Sequence, residues 1–223
     1  MFEQELEMEK HESSVVPLLL ISVLIFAVVG AAAYFVIQSR QVLPAPEATN
    51  IVNQVIQAQG PATVYFHTGK VEPSMNDKPE DPHYRLLEKL GLVTLGKPTA
   101  KGYPVALTPK GNELLKQIPG VQQSTEKDGT VGYRVPLAER KLVAISKITM
   151  TGTGRATVEY TWKWEPNALG ESFDASGAAV KSFNTWDRGT LIQKHGAGFY
   201  HDPPQRAAIA TVKEDKGWQL ATE

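Results

Sequence analysis

The chain has 223 residues, a formal net charge of −1 and no cysteine. The lack of cysteine excludes disulfides, thiolate catalysis and cysteine-ligated zinc. After Arg40 the sequence holds 21 basic and 19 acidic residues, and this balance of +2 does not favour binding to a polyanion.

An uncharged apolar run follows an acidic N-terminal tail. The tail, residues 1–14, carries five glutamates, and the run from Val15 to Ile37 has 23 residues without a charge. As a helix this run would be about 34 Å long, enough for a hydrocarbon core of about 30 Å. Secretory leaders have shorter apolar regions behind basic residues. The sequence therefore predicts a transmembrane helix over residues 15–38.

A short proline-containing tether, residues 39–46, connects this helix to the rest of the chain. Lys10 and Arg40 balance each other across the apolar run, so the positive-inside rule gives little guidance. A short tail before a long C-terminal region is typical of proteins with the tail inside the cell. We therefore expect a single-pass membrane protein whose soluble domain is extracytoplasmic, with the N-terminus in and the C-terminus out.

Residues 47–120 have the pattern of a small α/β subdomain. Proline in the first turn after a capping residue predicts two helix starts, at Asp81-Pro82 and Thr108-Pro109. A further helix is expected before Gly60. Strands are predicted at 62–67, 92–95 and 103–107.

Residues 84–115 resemble the second half of a winged-helix domain of the MarR type, through Leu90-Gly91-Leu92 and the later run Leu107-Thr108-Pro109-Lys110-Gly111. The resemblance implies a helix, a β-wing and a second helix, and a membrane-tethered DNA-binding regulator as an alternative function. DNA contacts would then come from Arg85, Lys89, Lys97 and Lys101. A DNA-reading unit needs two successive helices before the wing, and only one is predicted here. Nucleic acid is therefore not the expected partner.

Residues 133–223 predict an antiparallel sheet of about four strands, separated from the first subdomain by the polar stretch 120–132. One strand over 155–164 alternates strictly between apolar and polar residues, which indicates a sheet covered on one face. The whole chain is therefore expected to be α+β. This half is similar in pattern to cystatin-like and NTF2-like domains of bacterial envelope proteins.

Aromatic residues are the main candidates for a site in this sheet. Tyr160, Trp162 and Trp164 share one strand face, and Trp186 and Tyr200 are expected to join them. Such residues form a core, line a concavity for a small apolar ligand, or contact a protein partner. The sequence leaves these three interpretations open.

The histidines give a weaker indication of chemistry. His195 and His201 would supply an acid or base in an NTF2-like enzyme, a second alternative function. His67 and His83, with Asp77 and Asp81, match no metal-ligand spacing. No catalytic residue, metal or cofactor is therefore predicted.

The anchor, the tether and the lack of a catalytic motif together favour one function. We expect a membrane-anchored, non-catalytic accessory or binding protein of the bacterial envelope. Its partners would be the lipid bilayer and a membrane or envelope protein complex, contacted through the soluble domain.

Overall fold

The computed structural model describes residues 15–39, 42–74, 77–100, 102–196 and 198–221, and within α1 the side chains of residues 19–34. The acidic tail and Lys101 lie outside these residues. The helices are α1 (Val15–Ser39), α2 (Ala45–Ala58), α3 (Pro82–Lys89), α4 (Pro109–Gln117), α5 (Ala168–Phe173), α6 (Ala178–Lys181) and α7 (Thr185–His195). The strands are β1 (Ala62–Val71), β2 (Val93–Leu95), β3 (Tyr103–Leu107), β4 (Gln122–Thr125), β5 (Val131–Gly152), β6 (Arg155–Pro166), β7 (Gln205–Glu214) and β8 (Gly217–Leu220).

Helix α1 contains the uncharged apolar run. Its large apolar side chains are mostly exposed, from Ile25 at 54% to Phe26 at 77%. Measured by length and apolarity together, no helix within the described residues qualifies as a membrane-crossing segment. The transmembrane helix expected over residues 15–38 therefore stays a prediction.

One antiparallel sheet connects all eight strands. Its order is β2-β3-β1-β5-β6-β7-β8, and β4 also pairs with β5. The expected sheet of about four strands was wrong, because the strands of the wing region join the same sheet through β1 and β5. The wing strands themselves, predicted at 92–95 and 103–107, are confirmed as β2 and β3.

Strand β5 is the longest of the described strands, with 22 residues, and it already begins at Val131, within the polar stretch 120–132. Its first part pairs with β1 along one edge and with β4 along the other. From Ala138 onwards, that other edge pairs with β6. Gly132 and Pro136 concealed this start, since both residues weaken a strand pattern. Pro136 falls between the stretches paired with β4 and with β6, where that edge has no strand partner among the described residues.

Two hydrophobic clusters hold the helices on the sheet. The wing-side core lies between β1, the start of β5 and the helices α3, α5 and α7. Its fully buried members include Phe66, Tyr84, Leu137, Phe173 and Leu191. The α2-side core packs α2 against β6 and β8, through residues such as Val52, Val158 and Trp218. The alternation predicted for β6 is confirmed, since Ala156, Val158 and Tyr160 are buried.

Candidate functional site

A group of polar side chains lies beside the wing-side core, around the junction of β1, α3 and α7. It combines two tyrosines, three histidines and two carboxylates from five separate parts of the chain. We name this group the Asp77 cluster, and its members are Tyr65, His67, Asp77, His83, Tyr84, Glu126 and His195.

Local structure accounts for the placement of these side chains. In β1, Val64 and Phe66 are buried against the core, so alternation puts Tyr65 and His67 on the opposite face of the strand. Helix α3 starts with Pro82, and its next two residues, His83 and Tyr84, are both buried. Buried polar residues in such short elements need partners from elsewhere in the fold.

Asp77 is the central acceptor of the cluster. Its side chain is 8% exposed, and Oδ2 lies 2.5 Å from His67 Nδ1. The Tyr84 hydroxyl donates to the same oxygen at 2.9 Å and accepts from the backbone N–H of His67 at 2.7 Å. His83 Nε2 lies 3.6 Å from the other oxygen, Oδ1. The carboxylate thus ties the segment after β1 to both β1 and α3.

The other side of the His67 ring faces the surface. Its Nε2 lies 2.8 Å from the Tyr65 hydroxyl and 3.2 Å from Glu126 Oε1. A Cβ at Gly132 would come within 2.8 Å of that hydroxyl and 2.9 Å of Ser124 Oγ. Only a glycine therefore leaves room for Tyr65 and His67 in this arrangement.

The electrostatics of the cluster keep a negative charge at its centre. Burial raises the pKa of Asp77, but the polar contacts from His83, His67 and Tyr84 outweigh it, and the pKa lies below the usual carboxyl value. Burial, and next the charge of Asp77, raise the pKa of Tyr84. Burial, followed by Glu126 and Asp77, also raises the pKa of Tyr65. Both phenols therefore remain protonated donors at neutral pH.

This chemistry suits a structural network better than a reaction centre. Asp77, His67 and Tyr65 form a chain of hydrogen bonds, as in a carboxylate–imidazole–hydroxyl relay. A hydroxyl whose pKa is raised is a poor nucleophile, however. Within the described part of the chain, no group of three or more histidine or carboxylate side chains is placed to hold a metal ion.

The aromatic candidates fall into two groups. Tyr160 and Tyr200 are buried, and Trp162 and Trp164 are partly buried in edge-to-face contact at 5.5 Å. Trp186, at the start of α7, is 85% exposed. The structure brings Trp164 and Tyr200 together, with ring centroids 6.0 Å apart. Trp186 is thus the candidate that projects most into solvent.

An arginine that the sequence did not indicate completes the tryptophan pair. The Arg140 guanidinium lies 4.3 Å from the Trp164 ring centroid and 5.2 Å from that of Trp162. It also donates to the backbone carbonyls of Gln59 and Gly60 at the end of α2. This contact stabilises the helix end and fixes the aromatic pair.

The sheet has a depression of about 580 Å³ at β5, β6 and β7. Tyr160 lines it, and the rest of the lining is polar or small, with Ser146, Glu159, Thr161, Arg206, Ala207 and Ala208. This lining does not suit the small apolar ligand that the aromatic residues suggested.

Two of the candidate DNA-contacting side chains form contacts within the chain itself. Arg85 forms an ion pair with Asp187 at 2.8 Å, and Lys89 donates to Ser182 Oγ at 2.5 Å. Both cations also lie over the ring of Phe183. The helix that carries them packs against α7. Lys97 is exposed.

The two candidate acid–base histidines have different surroundings. His195 is buried, with its ring centroid 4.2 Å from that of His83. His201 is exposed and pairs with Glu171 at 2.9 Å, a contact that raises the pKa of His201. The spacing of Leu191 and His195, four residues apart on α7, is the sequence signal that could have placed His195 on the buried face.

Comparison of the chain with protein-family models, with curated proteins and with solved structures gave no significant match.

Proposed function

We propose that the chain is a membrane-anchored, non-catalytic accessory or binding protein, held in the bilayer by α1. The observation that carries this proposal is the exposure of α1. Its described large apolar side chains are 54–77% exposed, with Ile25 the least and Phe26 the most exposed. A helix that is apolar all round needs lipid or protein around it.

The sequence of α1 extends this argument. The run from Val15 to Ile37 has no charged residue, and a helix of this length is about 34 Å long. In a bilayer, a helix satisfies its own backbone polar groups. We infer a single-pass topology with the N-terminal tail inside and the folded region outside, as in the bacterial envelope.

The short connection keeps the folded region close to the bilayer. Five residues separate Ser39 from Ala45, so the distance between these two Cα atoms is at most about 22 Å. Leu43, within this connection, is already buried in the α2-side core. Any partner surface of the folded region therefore stays near the membrane, which favours a membrane or envelope protein complex as the partner.

Trp186 is the residue on which we base the partner contact. Tryptophan is enriched among residues that dominate binding energy, and an 85% exposed ring contributes little to the core. The engagement of Arg85 and Lys89 within the chain disfavours the DNA-binding alternative. Burial lowers the pKa of His195 to about 3, which disfavours this residue as a general base in an enzyme.

Fractionation of lysed cells tests the anchor. We expect the full-length protein to sediment with membranes and to resist carbonate extraction. The double variant Leu24→Arg/Val28→Arg should move to the supernatant, because arginine is costly within a bilayer. Leu24→Ala/Val28→Ala is the matched control and should stay in the pellet. Recovery of the unaltered protein in the supernatant without detergent would refute the anchor.

Site-specific photocrosslinking in intact membranes tests the binding role. A crosslinker at Trp186 should capture a defined protein, whereas one at the exposed Gln219 should not. Capture of the same protein at equal yield from both positions, or of none from either, would contradict a partner contact at Trp186.

A further inference from the structure

The contact between His83 and His195 has no role in the proposed anchoring or binding. The two side chains come from different helices, and their residues are 1% and 7% exposed. The ring centroids lie 4.2 Å apart, with a 47° angle between the planes. A positive charge on the His195 ring would lie beside a second imidazole and away from water, so the contact packs well only while His195 is neutral.

Their nitrogen atoms are also unusual. Within the described residues, Nδ1 and Nε2 of His83 and Nε2 of His195 are buried without a hydrogen-bond partner, although His83 Nε2 lies 3.6 Å from Asp77 Oδ1. Polar atoms buried in this way lower the stability of the closed structure. Opening of the contact would return His195 Nε2 to water, so the buried position of this atom lowers the free energy of unfolding.

Helix α7 brings His195 to this position. The helix begins at Asn184, whose side chain accepts from the N–H of Asp187, and ends at Gly196 in the left-handed conformation. Leu191, one turn before His195, is fully buried. At the surface, Lys194 pairs with Asp81 at 3.1 Å and Asp187 with Arg85. The C-terminal half of α7 is therefore attached through Leu191, His195 and Lys194.

We propose that the His83–His195 contact is a latch, which holds the C-terminal half of α7 on α3 at neutral pH and releases it in acid. Release would expose Leu191 and the face of α3 beneath it, and would leave the strands of the sheet in place. The latch lies in the folded region and does not depend on the membrane location of α1.

Charged and titratable groups lie on each element around the pair. On α3 and its N-terminus these are Asp81, Tyr84 and Arg85. On α7 they are Asp187 and Lys194. The remaining groups come from β1 and the two segments that close over it, and they are Tyr65, His67, Asp77 and Glu126.

The geometry sets the direction of the pH dependence. Burial, then the neighbouring His83 and Lys194, lower the pKa of His195 to about 3, although Asp81 and Asp77 act in the opposite direction. A solvent-exposed histidine has a pKa of about 6.5. Between these values the open form binds a proton that the closed form does not, so opening becomes about tenfold more favourable for each pH unit below 6.5.

Hydrogen exchange on the full-length protein in detergent tests the latch. Protection factors of the amides at 189–195 are measured at pH 7.5 and 5.0 and corrected for the intrinsic exchange rate. We expect them to fall about 30-fold between these values, as the ratio of protonated to neutral open form requires. The amides of Val158 and Tyr160 in β6 should keep their protection.

Two substitutions assign the effect to His195. His195→Leu keeps an apolar side chain without a titrating group, and should abolish the pH dependence. His201→Leu, which removes an exposed histidine, should retain the 30-fold change. A wild-type change below threefold overturns the latch, and so does an equally large change in His195→Leu. If His195→Leu does not fold, His195→Gln is used instead, and it should also abolish the pH dependence.

Discussion

Removal of the Asp77 carboxylate is the most direct test of the Asp77 cluster. Asp77→Ala leaves His67 Nδ1 and the Tyr84 hydroxyl without their shared acceptor, and both lose a hydrogen bond to a charged oxygen. Each such bond contributes about 1.5–3 kcal/mol. The substitution also removes the desolvation cost of the buried carboxylate, which offsets part of the lost hydrogen-bond energy. We therefore expect the free energy of unfolding to fall by about 3 kcal/mol.

Urea denaturation of the full-length protein in detergent, followed by tryptophan fluorescence, measures this change. The midpoint should fall with an unchanged slope, since the folded state keeps its extent. Asp202→Ala, at an exposed carboxylate, is the matched control and should shift the free energy by less than about 0.5 kcal/mol. A loss below about 1 kcal/mol in Asp77→Ala would refute the central role of Asp77.

A double-mutant cycle of Asp77→Ala and Tyr84→Phe measures the interaction energy between these two side chains, apart from the effect of burying each one. Tyr84→Phe also leaves the backbone N–H of His67 without its acceptor. Because both substitutions remove the same Asp77–Tyr84 bond, the double variant should lose about 1–2 kcal/mol less than the sum of the two. Simple additivity would show that the two groups do not interact.

Further expectations concern backbone space, helix caps and the arginine stack, all read from urea midpoints. Gly170→Ala should destabilise by about 3 kcal/mol or more, because its Cβ would meet a backbone carbonyl, whereas Gly189→Ala, with open space around it inside α7, should stabilise by up to about 1 kcal/mol. Thr108→Ala removes the cap of α4 and should cost about 1 kcal/mol. Arg140→Ala should cost about 1–3 kcal/mol, and Arg140→Lys should recover less than half, since lysine lacks the planar fork. Equal effects of the two glycine substitutions, or full recovery by lysine, would contradict these arguments.

Much of the local structure could be predicted from the sequence, because it depends on signals within a few residues. The helix starts at Pro82 and Pro109 are confirmed, and so is the one-sided burial of β6. Strand β4 was not predicted, because its residues, 122–125, are all polar and exposed. Pairing with the start of β5 across the short turn 126–130 makes it a strand, although the stretch has no apolar alternation of its own.

The Asp77 cluster was only partly visible in the sequence. His67, His83 and Asp77 were considered together, and the structure brings them together. Asp81, grouped with them, pairs with Lys194 instead. The place of His195 depends on the docking of α7, a helix that the glycine- and proline-rich stretch 166–206 concealed. Tertiary packing, rather than spacing along the chain, decides which polar groups meet.

Strand β5 has a consequence for how the molecule comes apart. It supplies Val135 and Leu137 to the wing-side core, while Leu142 and Ile145 further along pack on the α2-side core. At about 3.3 Å per residue, its 22 residues have a contour length of roughly 70 Å, and irregularities in its pairing with β6 bend it. If either core unfolds, this shared strand loses packing partners that support the other core. Heating should therefore give a single sharp unfolding transition instead of two separate steps.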